Sequence, residues 1–188
     1  MDAAKGSLEE LERIVGQIRE RWSDVQIIVR GDSGFARNDL MTWCEENGVD
    51  FIFGLARNNR LVKRIAKQLK KAKKRFWKTG RAARCYRDFR YRTLKSWSRT
   101  RRVVGKAEQL SKGENPRFVV TSLSKEEFTA QELYEDLYCA RGDMENRIKE
   151  QQLGLFADRT SSTMFSANQL RLWFSSVAYV LLSELRRV

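Results

Sequence analysis

The chain has 188 residues, of which 41% are hydrophobic and 32% charged, with a net charge of +13. That suits about one domain with a single core. It has no His, and its three cysteines, Cys44, Cys85 and Cys139, form no CxxC pair. Ser–His–Asp and Cys–His catalysis are therefore excluded and a structural zinc site is disfavoured, so any chemistry rests on carboxylates, Lys, Arg, Tyr or a bound metal. No basic start followed by an apolar run suggests a leader peptide, and the longest near-apolar run, Leu172–Leu182, is shorter than the roughly 20 residues that span a bilayer. A cytoplasmic protein with no membrane partner is expected.

Leu8, Leu11, Ile14, Val15 and Ile18 recur at helical spacing, which predicts a helix to about Trp22 with Ser7 as its cap and Glu10 three residues on. Val25–Val29 reads as a short buried strand, broken by the turn Arg30-Gly31-Asp32-Ser33-Gly34-Phe35. Asn38 is placed to cap a helix to about Glu46, ending at Asn47-Gly48, and Asp50–Leu55 is a second buried strand. This alternation is the rhythm of an α/β unit with parallel strands. Asn58–Arg75 predicts a basic helix with Leu61, Ile65 and Leu69 inward. From Phe76 to Leu123 the pattern is antiparallel strands inserted into the α/β unit, with Gly113-Glu114-Asn115-Pro116 as punctuation. Thr129, with Glu132 at the third position on, caps a long helix to about Leu153. The last helix, Ser166–Arg187, is apolar on more than one face and is expected to be largely buried.

The positive charge is concentrated. Arg57 to Lys106 holds 21 Lys and Arg against the single acid Asp88, a net +20, while the rest of the chain is acidic on balance. A polyanion is the natural partner of such a segment, with Trp77, Tyr86, Phe89, Tyr91 and Trp97 available either as sheet core or as base contacts. The bland alternative is a solvated charged face.

Two places carry candidate chemistry. Asp32 falls beyond the carboxyl end of a strand, the edge where open α/β sheets bind ligands, and a carboxylate there either holds a divalent ion or satisfies its own turn. On one uninterrupted helix, Tyr138, Arg141, Glu145, Lys149 and Gln152 share a polar flank beside an apolar stripe, with Arg141–Glu145 and Glu145–Lys149 at ion-pair spacing. Gly142 within it weakens the helix by roughly 1 kcal/mol against Ala and hints at a break. Arg-Gly-Asp occurs at residues 30–32 and again at 141–143, but nothing else suggests an adhesive secreted protein.

The run Ile27-Ile28-Val29-Arg30-Gly31-Asp32-Ser33-Gly34-Phe35 resembles the second-aspartate motif of bacterial insertion-sequence transposases of the cut-and-paste DDE group. Tyr138-x-x-Arg141-x-x-x-Glu145 resembles that group's Tyr–Arg–Glu–Lys signature. Both motifs in this order, with a basic strand-rich insert between them, cover essentially the whole chain. The resemblance implies an α/β, RNase H-like mixed sheet with flanking helices. Its core would comprise residues 1–75 and 124–188, and residues 76–123 would be the insertion. It implies Asp32 and Glu145 as catalytic ligands of two Mg²⁺ (or Mn²⁺) ions in phosphodiester cleavage and strand transfer, with Tyr138 and Arg141 on DNA phosphates. The family's Lys position falls on Gln152, with Lys149 on the same face as a substitute. Arg57, Arg60, Lys63, Lys67, Lys70 and Lys71 are the expected DNA contacts of the basic segment.

Only Asp2 and Asp24 precede Asp32, and neither is placed as the family's first carboxylate. The expectation is a C-terminal fragment that binds transposon-end DNA near the bacterial nucleoid but is inactive alone. Its partners would be a second copy or the missing N-terminal half. The competing reading is a non-catalytic basic DNA- or RNA-binding module.

Overall fold

The computed structural model describes residues 6–187, apart from the side chains of residues 141–145. Two compact units divide the chain between Tyr138 and Cys139.

The first unit is built on one mixed sheet. Its elements are α1 (Ser7–Arg21), β1 (Ile28–Gly31), α2 (Asn38–Glu46), β2 (Asp50–Leu55), α3 (Asn59–Arg64), α4 (Ala66–Thr79), β3 (Ala83–Tyr91), β4 (Arg101–Leu110), β5 (Gly113–Glu114), β6 (Arg117–Thr121), the single turn α5 (Ala130–Glu132) and a π-helical segment, Leu133–Tyr138. The strand order is β1-β2-β6-β4-β3, with β5 paired to β4. β1 and β2 are parallel, as the helix–strand–helix–strand rhythm predicts, and the later strands join antiparallel through β6, with Leu55 opposite Phe118. The strands expected between Phe76 and Leu123 therefore continue the same sheet.

Alternation along β2 sorts the two faces. Phe51 and Phe53 point into the larger core, which holds Val15, Met41, Leu61, Ile65 and Val103. Ile52 points the other way, to Val104, Val119, Leu133 and Tyr134. The helices α1 to α4 contribute to the first core, and α5 with the π segment to the second.

Several helix ends differ from expectation. Gly6, not Ser7, is the cap of α1, with no side-chain hydrogen bond. Arg37 precedes α2, and the Asn38 carboxamide instead accepts hydrogen bonds from the Ser98 amide at 2.8 Å and from Arg101 at 3.2 Å. A long-range tether has taken the oxygen that a cap would use. The basic helix is two helices that meet at Ile65, which is buried over Gly105. A Cβ at Gly105 would come within 2.6 Å of the Ile65 side chain, so only glycine lets the junction approach. Thr129 does form the expected capping box with Glu132. The long helix then fails. The π segment and a turn at residues 139–140 separate Thr129 from α6 (Arg141–Leu155). The break falls beside the destabilising Gly142, and the angular phase assumed from Tyr138 through Gln152 does not hold across it.

The second unit pairs α6 with α7 (Phe165–Leu185). The Gln151 amide donates to Ser176 Oγ at 2.8 Å, and Tyr179 donates to Glu150 at 3.0 Å. The expectation that the last helix is largely buried is not met. Ser175 is its only buried residue, and Leu170, Trp173, Phe174, Val177 and Leu181 are exposed. Apolar side chains on several sides exceed what one partner helix covers.

β4 is buried from Arg101 through Gln109, although it carries Arg101, Arg102, Lys106 and Glu108. Arg101 meets both oxygens of Glu45 at 2.7 and 2.8 Å. Arg102 donates to Asp88 at 2.7 Å and to the carbonyls of Leu123, Ser124 and Phe128. Lys106 pairs with Glu108 at 2.7 Å. The positive surplus read from sequence is thus partly cancelled by Glu45 and Glu108, which lie outside the basic segment. Removing one partner of a buried pair leaves the other charge uncompensated. Arg102→Ala should therefore lower stability by about 3 kcal/mol, since three carbonyls also lose their donor. The urea midpoint of that variant against the parent checks it.

Candidate functional site

Asp32 follows the last residue of β1, beyond the carboxyl end of the parallel pair. One of its oxygens accepts the Gly34 amide at 2.8 Å and its carbonyl accepts the Phe35 amide at 3.2 Å, so the side chain does fix its own turn. The residue nonetheless remains exposed. Beside it opens a cleft of about 400 Å³ lined by Asp32, Ser33, Gly54, Arg57, Arg117 and Tyr138, among others.

The sequence of β2 puts Tyr138 there. Gly54 follows Ile52 on the second-core face, where any side chain would fill the space. A Cβ at Gly54 would stand 2.7 Å from the Tyr138 hydroxyl oxygen and 3.0 Å from the Ser33 nitrogen. The missing side chain is what admits the phenol against the Asp32–Ser33 backbone. The π segment that carries Tyr138 is anchored from the same strand that carries Asp32: Arg30 donates to the Leu137 carbonyl at 2.6 Å. π-helical turns are often found where a side chain must be re-aimed for function.

A polar network holds the other end of the segment. Tyr86 donates to Glu135 at 2.7 Å, Arg84 bridges Glu108 at 2.7 Å and Glu135 at 3.3 Å, and Asn115 donates to Glu108 at 2.7 Å. Lys106 stands 5.3 Å from the centre of the Tyr134 ring. Burial alone pushes the Glu108 carboxyl up, but the hydrogen bonds from Lys106, Arg84 and Asn115 outweigh it and hold the group at about 2. Burial pushes the Tyr86 phenol up, helped by its bond to Glu135.

The remaining candidates fall on several elements. Arg57 lines the Asp32 cleft and is exposed. Arg60 and Lys63 lie on α3 and Lys67, Lys70 and Lys71 on the exposed side of α4, across the sheet from Tyr138. Lys149 and Gln152 are exposed on α6. The side chains of Arg141 and Glu145, expected to converge with Asp32, lie outside the described residues. Arg117, which lines the cleft and donates to Asn115 at 3.2 Å, was read only as the first residue of an apolar strand. Its signal was its place directly after Asn115-Pro116, opening a strand. Of the five interleaved rings, Tyr91 and Trp97 are buried core and Trp77 is exposed.

Among the described residues, no three His, Cys, Asp or Glu side chains are grouped as a metal site needs. Asp32 is the one described carboxylate lining the cleft. It supplies the hard oxygen that Mg²⁺ prefers, in the count of one.

A mixed sheet thus places one carboxylate beyond its parallel pair, in a cleft shared with Arg57, Arg117 and the Tyr138 phenol. The family follows from the full-length comparison: the chain belongs to the DDE transposases, a family model described as transposase DDE domain group 1 matching residues 1–188. A comparison with curated proteins finds no match. No helix among the described residues is long and apolar enough to cross a membrane.

Two measurements test this construction. Gly54→Ala should displace the Tyr138 hydroxyl and cost about 1–3 kcal/mol through overpacking; a thermal melt reads the loss, and Tyr138→Phe in the same background should recover part of it. Glu108 has a folded pKa depressed below its ordinary 4.5. Its contribution of about 3 kcal/mol should be complete above pH 4.5 and fade as pH falls towards 2, where the folded form also protonates. Glu108→Gln should flatten that part of the stability–pH curve.

Proposed function

We propose that this chain is the part of an insertion-sequence transposase that supplies the second and third catalytic carboxylates, Asp32 and Glu145, on an RNase H-like scaffold. The observation that carries the reading is the placement of Asp32 beyond a parallel strand pair with the Tyr138 phenol lodged beside it. In the resemblance, these residues belong to the second-aspartate motif and to the Tyr–Arg–Glu–Lys signature. Asp32 and Glu145 would ligate the divalent ions, Mg²⁺ or Mn²⁺. When bound, such ions activate a water or 3′-hydroxyl and stabilise the leaving oxygen in phosphodiester cleavage and strand transfer.

The other groups position DNA. Tyr138 and Arg141 would contact phosphates near the transposon end, with Lys149 in place of the family's signature Lys. Arg57 and Arg117 would draw the backbone into the cleft, and the exposed lysines of α4 would hold flanking duplex. In the proposed division, residues 1–75 and 124–188 form the catalytic core and 76–123 its insertion. The setting is the bacterial cytoplasm, at the nucleoid. Asp24, exposed between α1 and β1, is not placed beside Asp32 in the cleft lining. The first carboxylate would come from a strand paired to the outer edge of β1, which lies at the end of the strand order. Until that edge is paired it favours self-association.

The competing role, a basic nucleic-acid-binding module without chemistry, makes a separable prediction. The chain alone should bind duplex DNA with log K falling steeply with log salt, by about 0.9 per phosphate neutralised, and should not cut it in Mg²⁺ or Mn²⁺. Adding the upstream strands, as a separate chain or in frame, should restore cleavage that Asp32→Ala abolishes. Binding without any cleavage in the completed protein would favour the module.

A further inference from the structure

Across the sheet from Tyr138, at the edge opposite β1, a second cleft of about 550 Å³ is lined by Arg60, Lys63 and Arg64 of α3 and by Arg90 and Arg92 around the end of β3. No acid lines it. Among the described residues, none of the five has a carboxylate within 4.0 Å, whereas Arg84, Arg99, Arg101, Arg102 and Lys106 nearby are all so paired.

The guanidinium groups are held rather than free to wave. Arg60 lies over the Tyr91 ring at 5.2 Å and Arg64 over Phe89 at 5.8 Å. Arg90 donates to the Thr100 carbonyl at 2.9 Å and Arg92 to that of Trp97 at 3.0 Å. Arg87 donates to the Arg64 carbonyl, which fixes the end of α3. Each tether uses one ring face or one donor of a guanidinium that has five, so most donors remain for a ligand. Like charges gathered this closely repel one another, and an anion that bridges them removes the repulsion.

We infer that this cleft is a phosphodiester-backbone site for duplex DNA, separate from the Asp32 cleft, with which it shares no lining residue. The inference rests on the DNA reading above. The chemistry selects phosphate because fixed guanidinium forks match its oxygens. It selects a backbone over stacked single-stranded bases because the one ring in the lining, Tyr91, is 5% exposed and offers no open face. A single small anion would leave most of five charges unmatched. The site serves as an anchor for DNA that flanks the reacting phosphate.

The test is fluorescence anisotropy of a labelled duplex against the full chain over a salt series. Arg60→Gln with Lys63→Gln should lower the slope of log K against log salt by about 1.8, the value for two phosphate contacts. The same charge change at Lys112→Gln with Lys125→Gln, outside the cleft, should leave it unaltered, and Arg60→Lys should retain the parent slope. Should the double variant fail to fold, Lys63→Gln alone should still lower the slope by about 0.9. Equal losses in the cleft and control pairs overturn the site while leaving DNA binding intact. Absence of salt-dependent binding by the parent overturns the DNA reading and this site with it. Tighter binding to an RNA helix of equal length overturns the assignment to duplex DNA.

Discussion

Charge matching on β4 is the constraint on which the first unit depends. The strand lies between β3 and β6 and is buried along nearly its whole length, yet it bears three cations and an acid. Burying an unpaired ion costs several kcal/mol, so such a strand can be central only if each charge meets its opposite there. Arg101 reaches Glu45 on α2, Arg102 reaches Asp88 on β3, and Lys106 reaches Glu108 two residues along its own strand. These pairs do more than neutralise. The first clamps α2 to the sheet, the second joins β3 while Arg102 also holds the chain after β6 through the carbonyls of Leu123, Ser124 and Phe128, and the third feeds the network that holds the π segment.

The candidate site inherits its geometry from those ties. Tyr138 reaches the Asp32 turn because Arg30 grips the end of the π segment, Tyr86 and Arg84 grip Glu135 nearer its start, and Gly54 leaves room for the phenol. None of these groups needs to touch a substrate. They set where a hydroxyl and a carboxylate face one cleft, with Arg57 and Arg117 at its wall.

What the sequence made legible follows from the range of the forces involved. Apolar periodicity and turn chemistry are local, and they located α1, α2, β2 and the Thr129–Glu132 capping box; β1 was expected at Val25–Val29 but runs from Ile28 to Gly31, taking in the first two residues of the expected turn. The motif around Asp32 was legible because a strand end and a turn are adjacent in the chain. The pairing of Arg101 with Glu45 was not, because residues far apart in sequence carry no mark of meeting. So a segment that counted as +20 was overestimated as a free polycation. The π segment was also hidden: its residues suit an α-helix, and tertiary hydrogen bonds at Arg30, Arg84 and Tyr86 act on the form it takes. Asn38 shows the same competition in miniature, its carboxamide drawn from capping to Ser98 and Arg101.

The place of β6 between β2 and β4 has a kinetic consequence. β4 and β6 are near neighbours in the chain, as are β3 and β4, so this three-stranded meander closes through short loops. The ladder between β2 and β6 instead joins Leu55 to Phe118 and must close everything between them. Short closures precede long ones where topology governs rate. By that ordering the meander should close before the parallel pair leading to Asp32 joins it, and the pairing of Arg101 with Glu45 of α2 should be completed only when that pair arrives. During synthesis β1 and β2 leave the ribosome well before the strand that completes them, and the turn that will present Asp32 is among the last parts of the unit to acquire its shape.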